Sequence, residues 1–186
     1  MNAALDLAPT PSCAQRWRDQ PYRETLTLRD GRAVLLRPAH RSDADALQRF
    51  FASLSPRARL LRFHGAVTRL PDNALQMLTT QVAQRHVALV ATTHTDDGAR
   101  TLLAEARYVV AEDGEAEFAV TVADAWQGQG LGRALLQRLA VHARASGVQQ
   151  LTGSVMPGNE PMLGLMTRLG AQLQTGHADV TARMRL

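Results

Sequence analysis

The chain has 186 residues, 21 arginines and no lysine against 17 acidic residues, and a formal charge of +4. Its apolar content suits one soluble domain with a sizeable core, no apolar run is long enough to cross a bilayer, and the single cysteine, Cys13, excludes an internal disulfide. The arginines are scattered among acids and only two Trp and two Tyr accompany them, so no nucleic-acid surface is expected.

Residues 1–20 hold Pro9 and Pro11 without periodicity and are expected to form a flexible arm, leaving 21–186 as a single domain. The first residues lack a basic stretch followed by a continuous apolar run. No secretory signal is expected, and a reducing cytoplasm is the expected location. Tyr22 to Leu28 alternates as a strand, Arg29-Asp30-Gly31 turns, and Ala33 to Arg37 returns as a second strand. Ser42, with Asp45 three residues on, reads as a capping-box start. The helix that follows carries Ala46, Leu47, Phe50 and Phe51 on one side. Pro56 after Ser55 opens another helix through Phe63, and Pro71-Asp72 a third through Leu78.

Three strands follow, His86 to Thr93, Leu102 to Val110 and Glu117 to Val122, separated by Asp97-Gly98 and Asp113-Gly114. Asp-Gly pairs between apolar runs predict an antiparallel meander. A helix from about Leu131 to Ala145 places Leu131, Leu135, Leu139 and His142 near one face and ends at Gly147. Leu151 to Val155 is a strand, and Asn159 to Leu169 a helix ended by Gly170. Ala171 to Gln174 pairs with Val180 to Arg185 around Gly176.

The most informative segment lies between the third meander strand and its helix, Gln127-Gly128-Gln129-Gly130-Leu131-Gly132-Arg133. Glycines at a strand-to-helix turn let a ligand approach the backbone. The unpaired N–H groups of the first helical turn then meet it with the positive end of the helix dipole behind them. The natural occupant is a phosphate or pyrophosphate. A Walker loop is excluded because the chain has no lysine. The Gly-x-Gly-x-x-Gly dinucleotide pattern fails from Gly128, which ends on Arg133, and from Gly130, which ends on Leu135.

The pattern that fits is Gln/Arg-x-x-Gly-x-Gly/Ala, met by Gln127, Gly130 and Gly132. It resembles motif A of the GCN5-related N-acetyltransferases, the GNAT family, and the order of elements from about residue 25 onward is similar to the same fold. The resemblance implies an α/β (α+β) architecture. A mixed, mostly antiparallel sheet of about seven strands is flanked by helices. It also implies acetyl-CoA as cosubstrate, without a metal, for direct acetyl transfer to an amine in a ternary complex. Gln127, Gly128, Gln129, Gly130, Leu131, Gly132 and Arg133 would hold the pyrophosphate. The strand of Val120 and Val122 would pair with the pantetheine arm and supply an oxyanion donor, and Asn159 would touch pantetheine. The general base is Glu117 by its match to the family's position. Strand alternation puts Glu115 on the same face, and Glu112 and Asp113 stand nearby, so pattern alone does not choose among them.

Many members place a Tyr on the helix after the fifth main strand to protonate the leaving thiolate. Here Asn159 matches, Met162 replaces the usual Ala and Met166 stands at the Tyr position. The segments Leu35-Leu36-Arg37-Pro38, Phe50-Phe51-Ala52-Ser53-Leu54-Ser55 and Arg59-Leu60-Leu61-Arg62-Phe63 look like the acetyltransferase domain of bacterial protein-lysine acetyltransferases. That group modifies acyl-CoA synthetases, which makes such a protein the implied acceptor. His64, Arg59 and Arg62 are candidate acceptor-side residues. Other readings are a non-catalytic acyl-CoA-binding module and a small-molecule amine acetyltransferase, in a monomer or homodimer acting without nucleic acid or membrane.

Overall fold

The computed structural model describes residues 22–65, 67–82, 85–94, 98–111 and 114–186. The expected arm, Cys13, Asp97, Glu112 and Asp113 lie outside them. Eight strands and five α-helices follow in order. They are β1 (Glu24–Thr27), β2 (Ala33–Pro38), α1 (Ala44–Ser53), α2 (Pro56–Phe63), α3 (Asp72–Thr79), β3 (His86–His94), β4 (Arg100–Val110) and β5 (Glu115–Val122), then α4 (Leu131–Ala145), β6 (Gln150–Val155), α5 (Glu160–Arg168), β7 (Gln172–Thr175) and β8 (Val180–Arg185). They make one sheet in the order β1-β2-β3-β4-β5-β6-β8-β7, antiparallel throughout except for the β5–β6 pair. The sheet has eight strands, against the about seven implied by the resemblance.

Two apolar layers sandwich it. In β3, Val87, Leu89 and Ala91 face the larger cluster with α4, while Ala88 and Val90 face α1 and α3. A strand covered on both sides reads as an unbroken apolar run, because both of its alternating faces need apolar residues. On α4, Leu131, Leu135, Leu136, Leu139, Ala140 and Ala143 are buried, the spacing of one helical face. Burying each leucine contributes about 1.5–3 kcal/mol.

One expected cap is corrected. Ser42 lies inside a 3-10 turn, Arg41–Asp43, whose capping box is closed by His40 and Asp43 rather than by Ser42 and Asp45. The Asp43 carboxylate is drawn inward by Arg37, at 2.6 Å, and by the backbone amide of His40, at 2.8 Å. The two guanidinium bonds anchor the capping box two residues before the position that spacing alone favours.

The sheet opens between its two parallel strands. β5 and β6 share three register pairs, Glu115 with Gln150, Ala116 with Leu151 and Glu117 with Thr152, and then part. Beyond that point one edge of β5 faces a cleft.

Candidate acetyl-CoA cleft

The backbone of β5 determines what that edge offers. The amide of Ala123 donates to the carbonyl of Leu103 on β4. Bonding alternates along an antiparallel pair, so Thr121, Ala119 and Glu117 also bond toward β4. The polar backbone groups of Phe118, Val120 and Val122 therefore point away from β4, toward the opening. The Val122 carbonyl is covered by the side-chain amide of Gln127, at 3.0 Å. Val120 stands in the separated stretch, three residues beyond the last pair with β6.

A cavity of about 690 Å³ occupies the opening. Its floor is β5 from Glu117 to Val122. One lip is the glycine loop with the start of α4, and the other is Gly153 to Val155 with the start of α5. In the loop, Gly128 and Gly130 have φ of +76° and +92°, a region that favours glycine, and no side chain caps α4. The first-turn amides are therefore available to a ligand.

Helix α2 lies across both lips. The Ser55 hydroxyl caps α2 by accepting from the amide of Ala58, at 3.1 Å, and donates to Asp124 just after β5, at 2.7 Å. The Ser55 backbone amide donates to the same carboxylate, at 3.0 Å. Burial pushes the Asp124 carboxyl up, but the bonds from Ser55 outweigh it and hold the group below the usual carboxylate range. On the other lip, Arg57 donates to the carbonyl of Gly158, at 3.2 Å.

Of the residues expected from the sequence, Glu117, Val120, Val122, Gln127, Gly128, Gly130, Leu131, Gly132, Arg133 and Asn159 all line the cleft. Gln129 does not belong to its wall. Asn159 also caps α5, accepting from the amide of Met162 at 3.3 Å. Glu115 and Glu117 share a face as expected, but Glu115 accepts from Gln150 at 3.0 Å and lies outside the cleft wall. Arg62 and His64 line the cleft, whereas Arg59 donates to the carbonyl of Ala52 and does not. Met166 is fully buried in the core. No three His, Cys, Asp or Glu side chains gather as a metal ion requires among the described residues.

Two features are absent from the sequence reading. Arg32 stacks on Trp126, its guanidinium carbon 3.6 Å from the ring centroid, and so joins the β1–β2 turn to the loop after β5. The same turn brings Arg29 over the glycine loop, with Nε 4.0 Å from where a Cβ of residue 130 would stand. The second feature is a buried charged cluster behind the cleft. Glu105 of β4 is wholly buried, Oε1 lies 3.3 Å from Arg107 Nη1, and Oε2 lies 3.7 Å from Arg62 Nη2. Its local signal, one Glu between Ala104 and Ala106, reads equally well as a solvent-facing strand residue.

Comparison with known proteins agrees with this geometry. Residues 33–172 match the model of the acetyltransferase (GNAT) domain. An acetyltransferase of Pseudomonas aeruginosa is 35% identical over 156 residues, 83% of each chain. The GNAT domain of PAT from S. lividans superposes with a TM-score of 0.80 at 28% identity, over 88% of this chain and 97% of that one. A putative acetyltransferase from Salmonella typhimurium, solved with acetyl-CoA, shares the fold with a TM-score of 0.62 at 22% identity, over 82% of this chain and 92% of that one. With its split sheet, glycine loop and family match over residues 33–172, the chain belongs to the GNAT acetyltransferases, enzymes that take their acetyl group from acetyl-CoA.

Proposed function

We propose that this protein transfers the acetyl group of acetyl-CoA to a primary amine in a ternary complex, with Glu117 as general base. The observation that carries this reading is the position of Glu117. It is a carboxylate in the cleft wall at the point where β5 and β6 part, on the strand that runs directly to the glycine loop.

The amides around Gly128 to Gly132 take the pyrophosphate, with Arg133 and Arg29 adding positive charge. The pantetheine arm lies against the open edge of β5 as an added strand, paired through Val120 and Val122. Asn159 meets it from the other lip. The acceptor enters beneath α2. Its ammonium gives a proton to Glu117, directly or through one water, and the free amine attacks the thioester carbon. A backbone amide near Val120 to Val122 holds the oxygen as it becomes negative. Collapse of the intermediate breaks the carbon–sulfur bond and releases the CoA thiolate. Met166 is buried and has no proton to give, so the thiolate leaves unassisted or through water, in keeping with the low basicity of thiols.

The acceptor we infer is a lysine of a protein such as an acyl-CoA synthetase. The support is the resemblance of the α1–α2 segment to bacterial protein-lysine acetyltransferases. The test is thiol release from acetyl-CoA with candidate protein and amine acceptors, comparing wild type with Glu117→Gln. The variant is expected to lose about 10²- to 10⁴-fold in turnover. An unchanged rate removes Glu117 from the mechanism, and tight acyl-CoA binding without turnover on any acceptor favours a non-catalytic module.

A further inference from the structure

The turn between β1 and β2 is built to hold one arginine over the glycine loop. The Gly31 amide donates to the Leu28 carbonyl at 3.0 Å, and the Leu28 amide to the Arg32 carbonyl at 2.8 Å, which closes the turn around Arg29 and Asp30. Asp30 is spent inside it. Its carboxylate accepts from the Arg32 backbone amide at 3.1 Å and from Arg32 Nε at 2.7 Å, with Arg32 Nη2 at 2.6 Å. Arg29, its chain neighbour, forms no ion pair among the described residues.

Arg32 also fastens the turn to the segment after β5. Its guanidinium carbon stands 3.6 Å from the centroid of the Trp126 ring, and Nη2 lies 3.5 Å from the Ala125 carbonyl oxygen. A cation at this distance is held by the ring's quadrupole. Trp126 packs against the main core and lines the cleft two residues before Gly128. Arg29 lines the cleft as well, its Nε 4.0 Å from where a Cβ of residue 130 would stand, whereas Arg32 does not line it.

The charges at this end of the cleft leave Arg29 for a ligand. The first turn of α4 holds no acidic residue. Asp124, in the same wall, has both carboxylate oxygens taken by Ser55. Arg32 and Asp30 cancel each other. An anion seated on the amides around Gly130 lies within reach of the Arg29 guanidinium, whose forked N–H donors match phosphate oxygens.

We propose that Arg29 is a side-chain ligand of the acetyl-CoA diphosphate, and that Arg32, clasped on Trp126, is the positioning residue that holds it there. The inference rests on the reading that the glycine loop binds this diphosphate. It adds to that site a second wall, delivered by the hairpin at the edge of the sheet. Arg29 and Arg32 precede the 33–172 span of the family match, and their roles follow from this chain's own contacts.

The experiment is calorimetric titration with acetyl-CoA and with acetyl-dephospho-CoA, which keeps the diphosphate and lacks the ribose phosphate. The proteins are wild type, Arg29→Ala, Arg29→Lys, Arg32→Ala and the double alanine variant, each checked by thermal melting. Both side chains are exposed, so all are expected to fold. Arg29→Ala is expected to weaken both donors by about tenfold to a hundredfold, the worth of a charge-assisted bond. Arg29→Lys keeps the charge without the fork and is expected to fall in between. Arg32→Ala is expected to weaken both by about two- to fivefold, and to add nothing in the double variant, because it acts through Arg29. Unchanged affinity in Arg29→Ala overturns the proposal. So does a loss confined to acetyl-CoA, which gives Arg29 to the ribose phosphate instead. A double variant weakened by the full product of the two single losses removes the clasp. Absence of saturable binding in wild type removes the loop reading itself, whereas wild-type binding that Arg29→Ala leaves intact removes only the hairpin's part.

Discussion

The ring of Phe118 lies across Gly153, at the first pair of residues beyond the end of the β5–β6 ladder. A Cβ on residue 153 would stand 2.7 Å from Phe118 Cε1 and Cζ, closer than carbon atoms tolerate. Phe118 is itself buried in the main core, so its ring has little freedom to retreat. The missing side chain at 153 is what lets the ring sit where the strands part. Gly153→Ala is expected to cost about 1–3 kcal/mol and to weaken acetyl-CoA binding as β6 is displaced. A urea midpoint equal to that of wild type contradicts this.

Gly130 requires glycine and Gly132 does not. Gly130 has φ +92°, so an alanine there is strained by about 1–2 kcal/mol, and its methyl group would crowd the anion site. Gly132 has no such φ, and a Cβ there would make ordinary contacts at 3.6 Å with Leu165 and Val122. Inside a helix, alanine is favoured over glycine by roughly 0.5–1 kcal/mol. Gly130→Ala is expected to weaken acetyl-CoA binding on the order of tenfold or more, a drop of at least about 1.4 kcal/mol. Gly132→Ala is expected to melt at the same temperature as wild type or higher. Paired binding titrations and thermal melts check both.

These contrasts show what the sequence made legible. The helix over Leu131–Ala145 was expected to within a residue because one face carries leucines and glycines bracket it. The meander was legible from the Asp-Gly pairs between its apolar runs, and the strand count was short by about one. The loop residues expected from the sequence lie at the mouth of the cleft, apart from Gln129, which no local rule turns away from the wall. Arg29 and the Phe118–Gly153 contact escaped because they join segments far apart in the chain. Glu105 escaped for another reason. Its partners Arg62 and Arg107 come from α2 and from the same strand, and only the packing of α2 on the sheet shows that the carboxylate is buried. The capping error has the same origin, since Arg37 draws Asp43 inward from a neighbouring strand.

His142 on α4 makes stability depend on pH. Its Nδ1 lies 2.7 Å from the Tyr108 hydroxyl, and burial pushes its pKa down to about 4. The unfolded chain takes up this proton near pH 6.5. Between those values the unfolded state binds more protons than the folded one, so stability falls as pH drops from about 6.5 to about 4. Above and below that window the group contributes no slope. The checking measurement is urea unfolding of wild type and His142→Gln from pH 7 to 4. The difference between the two curves is expected to shrink as pH falls, and a constant difference contradicts the assignment.

The claim beneath all of this is that the amides around Gly130 hold a diphosphate at the mouth of the split sheet. Calorimetric titration of the folded protein with acetyl-CoA at two temperatures tests it most directly. The expected result is one saturable site per chain, displaced by free CoA and weakened in Gly130→Ala, with a negative heat-capacity change. No saturable heat at either temperature, or full affinity retained in Gly130→Ala, contradicts the account.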